Sequence, residues 1–153
     1  MPGHGLPLQP RLSGAHAGGS GPGTAPADVT ALYPFLAVRD TDTAIEFYAE
    51  AFGATVRERL EIPGGGPVVA VLEIDGVPFG IATQAPGLGT PSPETAGVTT
   101  VRVSLHVDDP DAAAARAIAA GATELFPVAD QPYGLRQGRV VDPFGHHWLI
   151  ADG

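Results

Sequence analysis

The second half of the chain repeats the first, and this repeat restricts the possible folds more than any other feature. In the first half LYPFLAV is followed by Asp40, the segment TDTAIEFYAEAF and Gly53. Next come ATVRERLEI, a Pro-Gly-Gly-Gly turn, VVAVLEI, an Asp75-Gly76 turn and VPFGIATQ. After APGLGTPSPETAG the order returns as VRVSLHV, Asp109, DAAAARAIAA, Gly121, ATELFPV, LRQGRVV and HHWLIAD. Val38 matches Val107, Asp40 matches Asp109, Asp42 matches Asp111, and Gly53-Ala54-Thr55 matches Gly121-Ala122-Thr123. Gly76, Phe79, Ile81 and Ala82 match Gly145, Trp148, Ile150 and Ala151, with a one-residue shift inside the helix. Ala44, Ile45, Phe47, Tyr48 and Phe52 recur at helical spacing behind a capping Asp40, and the short apolar runs around them have the length of strands. Gly53 stands where a left-handed cap ends a helix, and Asp75-Gly76 is a tight hairpin turn. The pattern predicts an α+β fold of two tandem βαβββ units, repeats 31–85 and 99–152, packed by pseudo-symmetry with the helices on the outside.

The length of 153 residues fits one such domain, expected over 31–153. Residues 1–30 are rich in glycine and proline and lack an apolar period, so they are expected to be a disordered tail. The tail has no basic start followed by an apolar run, so it does not read as a secretory signal, and its His4 and His16 are expected to have no specific role. No stretch is long and apolar enough to span a membrane. The chain has no cysteine, which removes disulfides, thiolate ligands and cysteine nucleophiles, and a cytoplasmic location is expected. Its net charge is −9 and its eight basic residues are all arginine, a balance that disfavours nucleic acid as a partner.

VRDTDTAIEFYAEAFGA in the first half, with DDPDAAAARAIAAGA and DPFGHHW in the second, resembles the vicinal oxygen chelate superfamily over residues 31–152. This is the glyoxalase, bleomycin-resistance and dioxygenase superfamily. The glyoxalase-like branch is the nearest match, through Asp130-Gln131-Pro132-Tyr133-Gly134, Arg136 and the run from Asp142 to Trp148. The resemblance implies a cup-shaped mixed sheet. It implies little about the reaction, because the superfamily includes isomerases, epimerases, dioxygenases, thiol transferases and drug-sequestering proteins.

In metal-dependent members the ligands lie on the first and last strands of each half. By that resemblance the positions here are Tyr33, Gly80, Arg102 and Leu149, none an ordinary oxygen or nitrogen ligand of a divalent metal. No cofactor is therefore expected. The alternative is a displaced divalent metal on His106 and His147, which alternation places on the face of Arg102, Ser104 and Leu149. Glu73 and Glu94 are not obviously placed to complete it, and His146 alternates away.

Without metal, the inward set reads as pocket chemistry: Tyr33, Phe35, Arg102, Ser104 and His106, joined by Phe79 and Trp148 unless those two are core. Arg102 can receive a carboxylate or phosphate, or serve a structural ion pair, and His106 can exchange protons. Tyr133 and Arg136 flank a turn that can close over a ligand or simply be a tight turn, and Asp142-Pro143-Phe144-Gly145 reads as a β-turn with no catalytic part.

Three functions compete. The first is a metal-independent protein that sequesters a small metabolite or drug, cationic or aromatic. The second is a glyoxalase-like lyase or isomerase that uses His106 and Tyr33, or a displaced metal, on a small oxygenated substrate. The third is a scaffold with protein partners only, whose cup would be filled by its own side chains. The resemblance further implies a homodimer that pairs half-sites across two chains.

Overall fold

Each half folds as a strand, a helix and three strands. The computed structural model describes residues 27–153, so most of the tail expected over residues 1–30 lies outside the described residues. Residues 27–32 carry no helix or strand, and a single compact unit runs from Tyr33 to Gly153. The first half comprises β1 (Phe35–Val38), α1 (Thr41–Phe52), β2 (Thr55–Glu61), β3 (Val68–Ile74) and β4 (Val77–Thr83). A connection with a 3-10 turn at Pro86–Leu88 and the short α2 (Pro93–Ala96) follows. The second half comprises β5 (Arg102–His106), α3 (Pro110–Ala120), β6 (Thr123–Asp130), β7 (Arg136–Val141) and β8 (His147–Ala151).

The repeat is set by local chemistry. The Asp40 carboxylate accepts from Thr43 N at 2.9 Å, and Asp109 accepts from Ala112 N at 3.1 Å, so both helices start on an aspartate that satisfies a free N–H. Helix α1 ends on Gly53 at φ 71°, a left-handed conformation that glycine adopts without steric cost. The α1 helix has 12 residues and α3 has 11, which accounts for the one-residue shift. Asp75 at φ 48° and Gly76 at φ 82° make the hairpin turn between β3 and β4.

The strands form two four-stranded mixed sheets, ordered β1-β4-β3-β2 and β5-β8-β7-β6, rather than one continuous cup. In each, the first and last strands of the half run parallel and the others antiparallel. One face of each sheet packs into a shared core. Leu36, Val38, Phe79 and Ile81 from the first sheet join Val140, Trp148 and Ile150 from the second, with Phe47 and Tyr48 of α1 and Ala117 of α3. The Phe79 and Trp148 ring centroids are 5.6 Å apart, so the two inner faces meet directly. With one face of each sheet on the common core, the other face of each is left uncovered by the helices, and each half contributes one curved sheet to the two-unit fold. Helices α1 and α3 pack on the core-facing side of the sheets, where the rings of Tyr48, Phe52 and Trp148 lie together.

Gly138 shows where backbone proximity demands a missing side chain. A Cβ there would lie 2.7 Å from Val128 N and 2.9 Å from Phe126 O, because β6 bulges opposite it. That bulge sends Val128 toward the core and leaves Phe126 paired with Arg139 on the outer face.

Candidate ligand-binding site

The outer face of the second sheet gathers the polar groups. Its register pairs Arg102 with His147, Ser104 with Leu149 and His106 with Ala151, and on the other side Arg139 with Leu149 and Gln137 with Ala151. Val103 and Leu105 pack against the core, so Arg102, Ser104 and His106 share the opposite face of the sheet, the common face that alternation predicts. Ser104 Oγ lies 3.0 Å from His106 Nε2. A concavity of about 200 Å³ opens beside β7, lined by Phe126, Tyr133, Gln137, Arg139 and Leu149 among others. The Arg139 guanidinium lies over the Phe126 ring, 5.4 Å from its centroid. Tyr133 is exposed, and its hydroxyl donates to Gln137 Oε1 at 2.5 Å, leaving the amide hydrogens of Gln137 for another acceptor.

The structure separates part of the expected set. Tyr33 and Phe35 belong to the first half, their rings 6.1 Å apart, and Phe35 begins β1 on the outer face of the other sheet. Within one chain they do not converge with Arg102, Ser104 and His106. Arg136 is not a free lid residue. It starts β7, where its guanidinium binds Asp111 at 3.0 Å and Asp130 at 3.2 Å, and those hydrogen bonds raise its pKa from the ordinary value. Trp148 is not a pocket wall, since it is 1% exposed on the core face and its indole N–H donates to Asp142 Oδ2 at 2.9 Å. Phe79 is core as well. Both alternate onto the same side as Ile81 and Ile150, and burying so much ring area outweighs any gain from lining an open face.

The positions that resemblance links to metal do not suit one. Tyr33, Gly80, Arg102 and Leu149 remain poor or non-donors, and the Phe35 ring covers Gly80 so closely that a Cβ there would fall 2.4 Å from it. The alternative pair, His106 and His147, lies four register positions apart, roughly 13 Å along the strands. Glu73 and Glu94 are engaged by Arg57 at 2.7 Å and Arg39 at 3.1 Å. Among the described residues no three His, Cys, Asp or Glu side chains cluster as a metal site would.

Two groups of residues escape sequence reasoning. Phe126, Gln137 and Arg139 line the concavity, and alternation outward from Val140 would have found the last two. The other is the Asp142 carboxylate. It begins a turn as expected, but its side chain is buried and accepts from Phe144 N at 2.9 Å, His146 N at 3.0 Å, Trp148 Nε1 and the Tyr48 hydroxyl. His146, also buried, donates from Nε2 to Ala37 O at 2.8 Å. Together these bonds tie α1 and β1 of the first half to the turn before β8, beneath the open face.

Burial, followed by the Asp142 charge, pushes the Tyr48 hydroxyl well above a tyrosine's usual 10. A pKa raised on folding favours the native state below pH 10, and that contribution is lost as pH climbs from there toward the folded value. Stability is expected to fall above pH 10 by about 1.4 kcal/mol per pH unit from this group. Urea titrations from pH 8 to 11 should show that slope, and Tyr48→Phe should remove it.

The comparisons agree with this architecture. The model of the Glyoxalase/Bleomycin resistance protein/Dioxygenase superfamily matches residues 29–150. An uncharacterized protein of Mycobacterium bovis is 41% identical over 124 residues, which cover 79% of this chain and 82% of that one. TioX from Micromonospora sp. ML1 superposes with a TM-score of 0.60 at 30% identity, covering 81% of this chain and 96% of TioX. Glyoxalase I from Zea mays superposes with a TM-score of 0.63 over 78% of this chain and 43% of that one, a likeness of fold alone at 16% identity. Two βαβββ units with their sheets and shared core, the matching family model and these relatives place the chain in the glyoxalase/bleomycin resistance protein/dioxygenase superfamily.

Proposed function

We propose that the protein binds and sequesters a small organic metabolite or drug on the outer face of its second sheet, without a metal. The observation that carries this reading is the replacement of the metal-ligand positions by Tyr33, Gly80, Arg102 and Leu149, with Phe35 filling the space above Gly80. The concavity beside Arg139 supports it further, combining aromatic and aliphatic walls with a few directed polar groups. At about 200 Å³ it is smaller than a typical ligand pocket, so a second copy of the chain completes it. The outer face of the first sheet carries Phe35, Val69, Val71 and Leu60 with Glu58, by register, and so complements the basic face of the second. A homodimer that sets one protomer's first sheet against its partner's second sheet closes two cups at once.

Elemental mass spectrometry on tag-free protein, before and after incubation with Ni, Zn, Mn and Fe(II), tests the reading. Near-zero metal with a ligand-dependent rise in Tm is the expected result. About one metal per chain, lost in His106→Ala or His147→Ala, would put a metal enzyme in its place. The Ser104 and His106 contact favours a second reading, proton transfer on a small oxygenated substrate by a glyoxalase-like lyase or isomerase. Turnover of ketoaldehyde, thiol or epoxide substrates that is abolished by His106→Ala would select it.

A further inference from the structure

Seven of the eight arginines lie among the described residues, and their partners divide them sharply. Arg39, Arg57, Arg59 and Arg136 each bind a carboxylate. Arg116 donates to Glu50 O at 2.7 Å, capping the carbonyl end of α1. Arg102 and Arg139 are left, and among the described residues neither forms an ion pair. Both stand on the outer face of the second sheet, where the register places no carboxylate on β5, β7 or β8. In a chain of net charge −9, this face is a local reversal of sign. Arg139 carries a second anomaly, since its Nε is a buried side-chain donor with no hydrogen-bond partner among the described residues. A half-buried guanidinium with one donor unpaired is a group that an accepting anion would complete.

We propose that this site selects planar organic anions, aromatic or enolic carboxylates. The inference rests on the ligand-binding reading above. The carboxylate is received by the planar fork of Arg139 and by the free amide hydrogens of Gln137, whose oxygen is already held by Tyr133. The ring of the ligand lies against Phe126 and Leu149. On the same face His147, one strand from Arg139 on β8, and Arg102, two strands away on β5, meet the far end of a longer ligand at roughly 10 Å from Arg139. The acidic residues neighbouring the site, Asp111 and Asp130, are engaged by Arg136 and so do not neutralise it.

The test is isothermal titration of full-length protein with three probes of one shape: 1-naphthoate, 1-naphthalenemethanol and 1-naphthylmethylammonium. Naphthoate is expected to bind at least about tenfold more tightly than the alcohol, with the ammonium weakest. Arg139→Met should bring naphthoate down to the level of the alcohol while leaving the alcohol within about twofold, and should melt no lower than wild type because it removes the orphan donor. Should Arg139→Met fail to fold, Gln137→Leu provides the same readout with a smaller loss. Naphthoate binding no tighter than the alcohol overturns the inference, as does selectivity that survives both substitutions. If the alcohol or ammonium still binds, sequestration stands and only the anionic class is lost. If none of the three binds, both readings fall.

Discussion

Replacing Asp142 with alanine is expected to lower stability by about 3–5 kcal/mol, enough to cost a domain of this size roughly 10 °C or more in Tm. The carboxylate uses both oxygens twice, and the substitution leaves four buried donors without it: two backbone N–H groups, the Trp148 indole and the Tyr48 hydroxyl. Those donors come from both halves of the repeat, so the loss falls on the junction and not on one turn. Asp142→Asn should fall between, since an amide keeps one good acceptor and points two hydrogens at groups that are themselves donors. Trp148 is the single tryptophan and is buried against Phe52, so its emission reports the melt directly. A melting point within a few degrees of wild type for Asp142→Ala would show that water enters the junction and replaces the carboxylate.

The second large effect separates structure from binding at Trp148. Trp148→Ala is expected to cost about 3–5 kcal/mol, because its buried ring contacts Tyr48, Phe52 and Phe79 and its removal leaves a cavity among them. Trp148→Phe should cost about 1–2 kcal/mol, mostly for the lost donor to Asp142. In the phenylalanine variant, affinity for naphthoate should stay within about twofold of wild type, since the ring sits on the face opposite Arg139 and Leu149. Chemical denaturation and titration on the same preparation give both numbers. A weakened ligand with unchanged stability would return Trp148 to the site.

The two effects differ in kind from those expected at Arg139. Asp142 and Trp148 are satisfied and buried, so altering them loses stability. Arg139 is under-satisfied, so altering it is expected to lose ligand and keep stability. That contrast distinguishes a residue that holds the fold from one held ready for something else.

The order of elements, the caps at Asp40 and Asp109, the turn at Asp75-Gly76 and the common face of Arg102, Ser104 and His106 on β5 were all legible in the sequence, because each depends on neighbours a few residues away. Alternation is a local property, so Arg102, Ser104 and His106 could be assigned to one face before any sheet was known. Tertiary structure alone decided which faces share a core. Phe79 and Trp148 meet across two sheets, and that meeting turns Tyr33 and Phe35 away from the face of Arg102. The same long-range packing committed Arg136 to Asp111 and Asp130 while leaving Arg139 without a carboxylate. Two arginines three residues apart on the same strand acquire opposite roles, because a side chain's partners are set by what the fold brings beside it, and local pattern carries no record of that.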